Sequence, residues 1–392
     1  MAKNKKTENI FYDPALKKRH FRAKIFKYFT ISSIVISLIF LVIFLGDMIA
    51  KGSSVIKQTY LQVEINYSQK SISNYRSAVD RKYLKLVSRT ALREIPAQIK
   101  ENPRLLNTTK LVWILADDQV DMYMKGYYYK IKDKDLKVLK ELEKSGRVEK
   151  RFNSIFFSHG DSKTPEYSGI LSAMIGSILT LLVTMSFAFP IGVATAVYLE
   201  EFSYQGRWSE FLEVNINNLA AIPSILFGLL GLAIFINLFG MPRSSALVGG
   251  LTLALMTLPI IVVSSRAALR SVPASIRQAA YGLGLTKVQV VKDHVLPLAF
   301  PGIMTGSIIG LAQAMGETAP LIIVGMIAFI PDSPNSILEA ATVMPAQIFT
   351  WAGMPERAYI ERTAGGILIL LSVLISLNAF AVYLRKKFEV KW

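Results

Sequence analysis

Six long apolar stretches restrict what this chain of 392 residues can fold into. A helix needs about 20 apolar residues to cross the hydrocarbon core of a bilayer. Because 52% of the residues are hydrophobic as well, we expect an integral membrane protein whose transmembrane part is all-α and polytopic. The six predicted spans are residues 29–49, 168–199, 214–239, 246–263, 303–327 and 365–384.

Basic residues beside these spans predict the orientation of the chain. Residues 1–28 carry nine Lys and Arg against two acidic residues, and short cytoplasmic flanks are enriched in Lys and Arg. We therefore expect this basic tail in the cytoplasm, and an even number of spans returns the C-terminus to the same side. Most of the net charge of +17 is then explained by cytoplasmic flanks that meet anionic lipid, so we expect the lipid bilayer and no nucleic acid as a partner.

A polar block, residues 51–166, separates the first two spans, and the predicted orientation places it outside the cytoplasm. Its 23 Lys and Arg outnumber its 14 Asp and Glu. This surplus could attract an anionic substrate or an acidic binding protein, or it could be an ordinary solvated surface. The predicted organisation is therefore a cytoplasmic basic tail (1–28), a first transmembrane helix (29–50), an extracytoplasmic insertion (51–166) and a second transmembrane domain (167–392).

The insertion is predicted to be a folded domain of mixed α/β type. Residues 110–116 and 120–125 have the composition of two strands. Three leucines with helical spacing between Asp133 and Gly146 predict a capped helix. The chain has no cysteine, so this domain is expected to be stable without disulfides.

A loop at residues 271–297 has the pattern of two short helices joined at a glycine. Apolar residues three and four apart predict a first helix that Pro273 starts and Gly284 ends. The spacing of a capping box predicts a second helix that begins at Lys287 and ends before Pro297. Two such helices form a compact knob that suits a groove on a partner protein, although an amphipathic loop on the lipid surface is the alternative. The apolar face of the first helix consists of Ile276, Ala279, Ala280 and Leu283.

The same loop resembles the coupling loop of the membrane subunits of ABC importers. The family pattern is Glu-Ala-Ala, three residues, Gly, nine residues and Ile-x-Leu-Pro, and this chain departs from it only at Gln278 and His294. The resemblance implies that the loop 271–297 contacts a partner ATPase and couples ATP hydrolysis to transport. The residues expected to do so are Ile276, Arg277, Gln278, Ala279, Ala280, Leu283, Gly284, Leu296 and Pro297.

Polar residues at membrane depth indicate a second functional region. Glu317 follows Gln313 by one helical turn in the fifth predicted span, where a carboxylate is costly and normally faces a bundle interior or a cavity. It is either a structural hydrogen-bonding residue or a contact for substrate. Just before it, small residues at four-residue spacing predict close packing against another helix: Gly302, Gly306, Gly310 and Ala314.

Pro223 interrupts the third predicted span and can free backbone groups beside a pathway. The candidate substrate pathway is therefore Pro223, Ser224, Gln313, Glu317 and Thr318.

Four motifs together resemble the PstA family of phosphate ABC-transporter permeases. These are residues 222–228, 255–259, 277–284 and, above all, Met315-Gly316-Glu317-Thr318-Ala319-Pro320, within a likeness that covers about 168–392. The resemblance implies six transmembrane helices, alternating access and import of inorganic phosphate across a bacterial inner (plasma) membrane. It also implies a heterodimer with a PstC-like permease, a PstB-like ATPase dimer that binds ATP and Mg, and an extracytoplasmic phosphate-binding protein. One branch of the family has a long extension after the first helix, and many relatives have Arg where this chain has Gln313.

No pattern in the sequence predicts covalent catalysis or a cofactor in this chain. The three histidines are far apart and have no metal-ligand spacing, and no P-loop occurs, so ATP must be hydrolysed on another subunit. Two alternatives stay open. One is a permease of the same architecture for sulfate or molybdate, and the other is a membrane sensor whose loop docks a signalling protein.

Overall fold

The computed structural model describes residues 15–204, 206–327 and 329–388. Its helices are α1 Leu16–Gly52, α2 Gln69–Ser73, α3 Arg89–Glu101, α4 Asp118–Met124, α5 Asp133–Lys144, α6 Ser154–Ser158, α7 Leu171–Val197, α8 Arg207–Ala220, α9 Ser224–Gly231, α10 Ala246–Arg270, α11 Ala274–Gly282, α12 Lys287–Gln289, α13 Leu296–Gly316, α14 Ala319–Ile323, α15 Met344–Ala352 and α16 Ala358–Phe388. The strands are β1 Lys57–Tyr67, β2 Thr108–Leu115 and β3 Val148–Phe152.

Five helices in the described residues are long and apolar enough to cross a membrane, and the number is six if one bent pair forms a single span. The chain divides into two compact units, one up to Ala50 and one from Lys51 onwards. Most of α1 belongs to the first unit, and this helix contains the first predicted span and begins well before it. The part of the predicted tail before residue 15 lies outside the described residues.

The third predicted span, 214–239, is wrong as a single helix. Helix α8 ends at Ala220, and α9 with its continuation to Leu238 starts at Ser224, bent by 102° from α8. Pro223 explains the break, because it has no N–H to donate and it disfavours helical backbone at the preceding residue. Its own backbone is extended, with ψ of 136°, and it is the cap residue of α9.

The fifth predicted span, 303–327, is wrong at both ends. Helix α13 ends at Gly316, and Glu317 has extended backbone before the short helix α14 begins. At the other end α12 does not stop before Pro297, because it continues through Val290–Val295 into α13 as one span of 30 residues. The segment Val290–Val295 is π-helical, and this wider turn accommodates the ring and missing N–H of Pro297 without a break.

The small-residue ridge on α13 packs against α10 as the sequence predicts. A side chain at Gly302 would clash with Ala268, and one at Gly306 would overlap Ser264. Gly310 lies in ordinary contact distance of Ile260. The backbones of the two helices therefore approach closely. Helix α7 also packs against α10, where Gly250 has no room for a side chain beside Val183.

The insertion contains an antiparallel sheet in the order β2-β1-β3. Alternate residues of β1 point into a core that α3 and α5 cover, with Leu61, Val63, Leu92 and Leu139 fully buried. The predicted strand 110–116 is confirmed as β2, and the predicted helix is confirmed as α5. Its C-terminal Gly146 has a φ of +72°.

The predicted strand 120–125 is wrong, because this segment lies in the helix α4. The Asp117 side chain caps that helix by accepting a hydrogen bond from the Gln119 backbone N–H. Asp118 and Asp121 lie in its first turn, where negative charge stabilises a helix.

Candidate functional site

The loop 271–297 folds into a knob of α11 and the start of α12, joined at Gly284. Gly284 has a φ of +82°, and its N–H bonds the Tyr281 carbonyl while the Leu285 N–H bonds the Ala280 carbonyl. This pair of bonds is the Schellman arrangement, which requires left-handed backbone at the glycine. Thr286 and Gln289 form the predicted capping box at the start of α12. The local geometry of the knob therefore follows from the sequence.

The apolar face of α11 is divided between the interior and the surface. Ala280 is buried against the ends of α10 and α13, and Ile276 is partly buried there. Ala279 and Leu283 point outwards, and 81% of Leu283 is exposed. These outward residues line an open groove of about 400 Å³ with His294 and Pro297, which presents an apolar surface to a partner. Gln278 is exposed and Leu296 packs against the same buried cluster.

Arg277 faces the bundle and anchors the knob to it. Its Nη2 lies 2.6 Å from Glu201 Oε1, at the end of the continuation of α7. The guanidinium also donates to the carbonyl of Val272 at 2.8 Å and to that of Leu269 at 2.9 Å. Since only 8% of the Glu201 side chain is exposed, this is a largely buried ion pair. Arg277 therefore ties the knob to α7 and to the end of α10.

Glu200 extends this anchor into a network of charges. Its carboxylate lies 2.9 Å from Arg270 Nε and 3.5 Å from Arg266 Nε. Arg266 in turn pairs with Glu213 of α8 at 3.1 Å. The two adjacent glutamates at the end of α7 thus connect the knob, α10 and the first arm of the bent pair. Neither glutamate was predicted from the sequence. The feature that could have indicated them is a pair of adjacent carboxylates directly after an apolar span.

The second predicted region forms where the two helix breaks meet. A side chain at Gly228 would lie 2.7 Å from Cα of Pro320, so α9 packs directly against α14. Ser224 lies one turn before Gly228 on the same helix, and Thr318 directly precedes α14. The structure therefore brings the two motifs that contain Pro223 and Glu317 into one neighbourhood.

Glu317 lies at the break between α13 and α14 and is partly exposed, while Gln313 is exposed on α13. Neither side chain has a hydrogen-bond or ion-pair partner among the described residues. The interpretation of Glu317 as a structural hydrogen-bonding residue within this chain thus has no support in the described part.

A third cluster of polar residues joins the insertion to the start of α16. Lys125 Nζ lies 2.7 Å from Asp121 and 2.6 Å from Glu361, and all three side chains are less than a tenth exposed. Asp121 also accepts hydrogen bonds from the backbone and hydroxyl of Thr59 on β1. This triad, Asp121-Lys125-Glu361, connects residues 236 positions apart and was not apparent from the sequence.

The last segment of the insertion makes further buried bonds to α15 and α16. Asp161 accepts hydrogen bonds from the Trp351 indole at 2.9 Å and from the Ser168 hydroxyl at 2.7 Å. Arg362 Nε donates to the Pro165 carbonyl at 3.1 Å. The insertion is therefore held firmly against the helices that follow the second region.

The partly buried Asp117 and the buried Glu166 lie within the insertion near this junction. Burial, together with the charges of the neighbouring Asp118 and Glu166, raises the pKa of Asp117 to about 8. Burial also raises the pKa of Glu166, against a 2.6 Å hydrogen bond from Ser88 that lowers it. Among the described residues no group of three or more His, Cys, Asp or Glu side chains could hold a metal ion.

Comparison with known proteins agrees with this architecture. Residues 188–390, just over half of the chain, match the family described as binding-protein-dependent transport system inner membrane component. Residues 13–81 and 73–133 match a domain of unknown function, DUF3333, which covers α1 and much of the insertion.

Among curated relatives, the phosphate transport system permease protein PstA 1 of Mycobacterium tuberculosis is 32% identical, over 55% of this chain and 70% of the relative. The phosphate transport system permease protein PstA of Pasteurella multocida is 33% identical, over 56% of this chain and 78% of the relative. A solved inward-facing structure of the MetNI methionine ABC transporter is similar with a TM-score of 0.45 and 16% identity, over 55% of this chain and 94% of that chain. By its family match and by these relatives, the chain belongs to the family of inner membrane components of binding-protein-dependent transport systems.

Proposed function

We propose that this chain is a permease subunit of an ATP-driven importer of inorganic phosphate. The names of the relatives from Mycobacterium tuberculosis and Pasteurella multocida support phosphate as the substrate. The observation that carries the proposal is the position of Glu317. Its carboxylate has no partner in the described part of the chain, and it lies at a helix break beside the contact between Gly228 and Pro320.

The chemistry of Glu317 favours phosphate over the other oxyanions. Phosphate keeps at least one O–H group near neutral pH, whereas sulfate and molybdate are fully deprotonated. A carboxylate can accept a hydrogen bond from that O–H, but it repels an anion that has no proton to donate. Backbone N–H groups and hydroxyls, such as those of Ser224 and Thr318, would bind the remaining oxygens. Gln313 and Pro223 lie on the same two helices and would border the path.

The knob would face the cytoplasm and dock on a partner ATPase, which binds ATP and Mg. The groove beside Leu283 offers an apolar surface for that partner, and the ion pair between Arg277 and Glu201 would transmit its movement to α7 and α10. The insertion would then lie outside, where a phosphate-binding protein delivers substrate. The other subunits would be a PstC-like permease and two PstB-like ATPases, with both termini of this chain in the cytoplasm.

Uptake of labelled phosphate in cells that lack this chain tests the proposal. We expect the wild-type gene to restore uptake and Glu317→Ala to fail at normal expression, while Glu317→Gln, which keeps one acceptor oxygen, restores part of it. Glu64→Gln on the exposed side of β1 is the matched control and should transport normally. Competition by sulfate or molybdate as strong as that by unlabelled phosphate would reject phosphate as the substrate.

A further inference from the structure

An apolar cavity of about 170 Å³ lies where the insertion meets the start of α16. Its walls include Met122 and Tyr127 from the insertion and Ile360 from the first turn of α16. Lys51, in the last turn of α1, and Arg357, one residue before α16, lie at its edge. No residue of the three sites described above needs this cavity for its role.

The position of the cavity corresponds to the interface between lipid tails and water. The apolar run of α1 ends just before Lys51, and that of α16 begins a turn or two after Arg357. Tyrosines are enriched at this depth of a membrane, and Tyr127 and Tyr128 both line the cavity. Ile360 is more than half exposed, so its surroundings are open to lipid.

Arg357 presents a cation with unused donors to this cavity. Its guanidinium stacks on the Tyr128 ring at 4.5 Å, and it has no carboxylate partner among the described residues. Glu361 also lines the cavity, but only 6% of its side chain is exposed, and its carboxylate lies 2.6 Å from Lys125. Arg357 is exposed whereas Glu361 is buried, so the guanidinium is the more accessible of these two charged groups.

We propose that this cavity binds an anionic phospholipid. Arg357 would hold the lipid phosphate through paired N–H donors, because a guanidinium fork matches phosphate oxygens. The apolar walls would bury the glycerol and the first methylene groups of an acyl chain. A free phosphate ion would leave these walls without a partner, so the lipid is the better match.

The test uses the assembled transporter in nanodiscs that contain equimolar phosphatidylglycerol and phosphatidylcholine, with bound lipid counted by native mass spectrometry. Wild type should retain phosphatidylglycerol about tenfold over phosphatidylcholine, a difference of about 1.4 kcal/mol. Arg357→Gln should lose most of this preference, Arg357→Lys should keep part of it, and Ile360→Trp should reduce retention by filling the cavity.

Arg93→Gln is the matched control, because Arg93 also stacks on a tyrosine, Tyr75, at 5.8 Å but lines no part of this cavity. It should retain lipid like wild type. A wild-type complex without preference, or equal losses in the Arg357→Gln and Arg93→Gln complexes, would overturn the proposal. Displacement of the lipid by millimolar inorganic phosphate would assign the site to a free anion instead.

Discussion

Replacement of Lys125 by Met tests how firmly the insertion is joined to α16. The change keeps the length of the side chain but removes a charge that lies within 2.7 Å of both Asp121 and Glu361. Only 5% of the Lys125 side chain is exposed, so two carboxylates would remain buried beside each other without a cation. Removal of one partner from a buried ion pair costs about 3–5 kcal/mol.

Each 1.4 kcal/mol changes an equilibrium by about tenfold. This cost therefore predicts that the state in which the insertion has separated from α16 is populated more by roughly two to three and a half powers of ten. Limited proteolysis of the insertion in the purified complex measures that population when opening is fast relative to cleavage. Lys82→Met is the matched control, because Lys82 pairs with Asp80 at 3.8 Å and more than half of each side chain is exposed. Solvent screens such an exposed pair, so its loss should change cleavage little.

Equal cleavage rates for the Lys125→Met and Lys82→Met complexes would refute the argument from burial. Addition of Glu361→Gln to Lys125→Met should recover part of the loss, since it removes one of the two unpaired carboxylates. No recovery would mean that the lysine acts through its packing and not through its charge.

Three further predictions concern the knob and the insertion. Gly284→Val should abolish ATP-driven uptake at normal expression, because a β-branched residue at a φ of +82° costs about 1–3 kcal/mol. Gly282→Val is the control: a side chain has equal space there and the backbone is helical, so most uptake should remain. Arg277→Ala should weaken association with the ATPase far more than Arg270→Ala, measured by co-purification, because Glu201 is buried whereas Arg270 is 58% exposed. The raised pKa of Asp117, about 8, means that the folded insertion binds this proton more tightly than the unfolded chain. The stabilisation that comes from the protonated Asp117 is fully present below about pH 4 and is lost as the pH rises to 8. Asp117→Asn should therefore weaken the dependence of the melting temperature on pH over that window.

Local signals in the sequence predicted the knob well. The left-handed turn at Gly284 and the capping box of Thr286 and Gln289 depend on residues only a few positions apart. Short-range sequence patterns are therefore enough to predict them. The ridge on α13 was predictable for the same reason. The roles of the residues on the knob stay predictions, because the partner that they would contact is another chain.

The helix breaks and the buried ion pairs were harder to predict. Hydropathy averages over about 20 residues, so it merged α8 with α9 and carried the fifth span past Glu317. The apolar residues of α4 suited a strand equally well, and only the Asp117 cap distinguished the two. Long-range pairs such as Lys125 with Glu361 have no local signal, because the fold alone brings them together.

ATP-dependent accumulation of labelled phosphate in proteoliposomes tests the central claim most directly. The complete complex, with its ATPase and a phosphate-loaded binding protein, should accumulate phosphate only when ATP is present on the side of the ATPase. The same complex should not accumulate labelled sulfate, and the Glu317→Ala complex should hydrolyse ATP without accumulating phosphate. Accumulation of sulfate at the same rate, or normal phosphate accumulation by the Glu317→Ala complex, would contradict the proposed function and the role of that carboxylate.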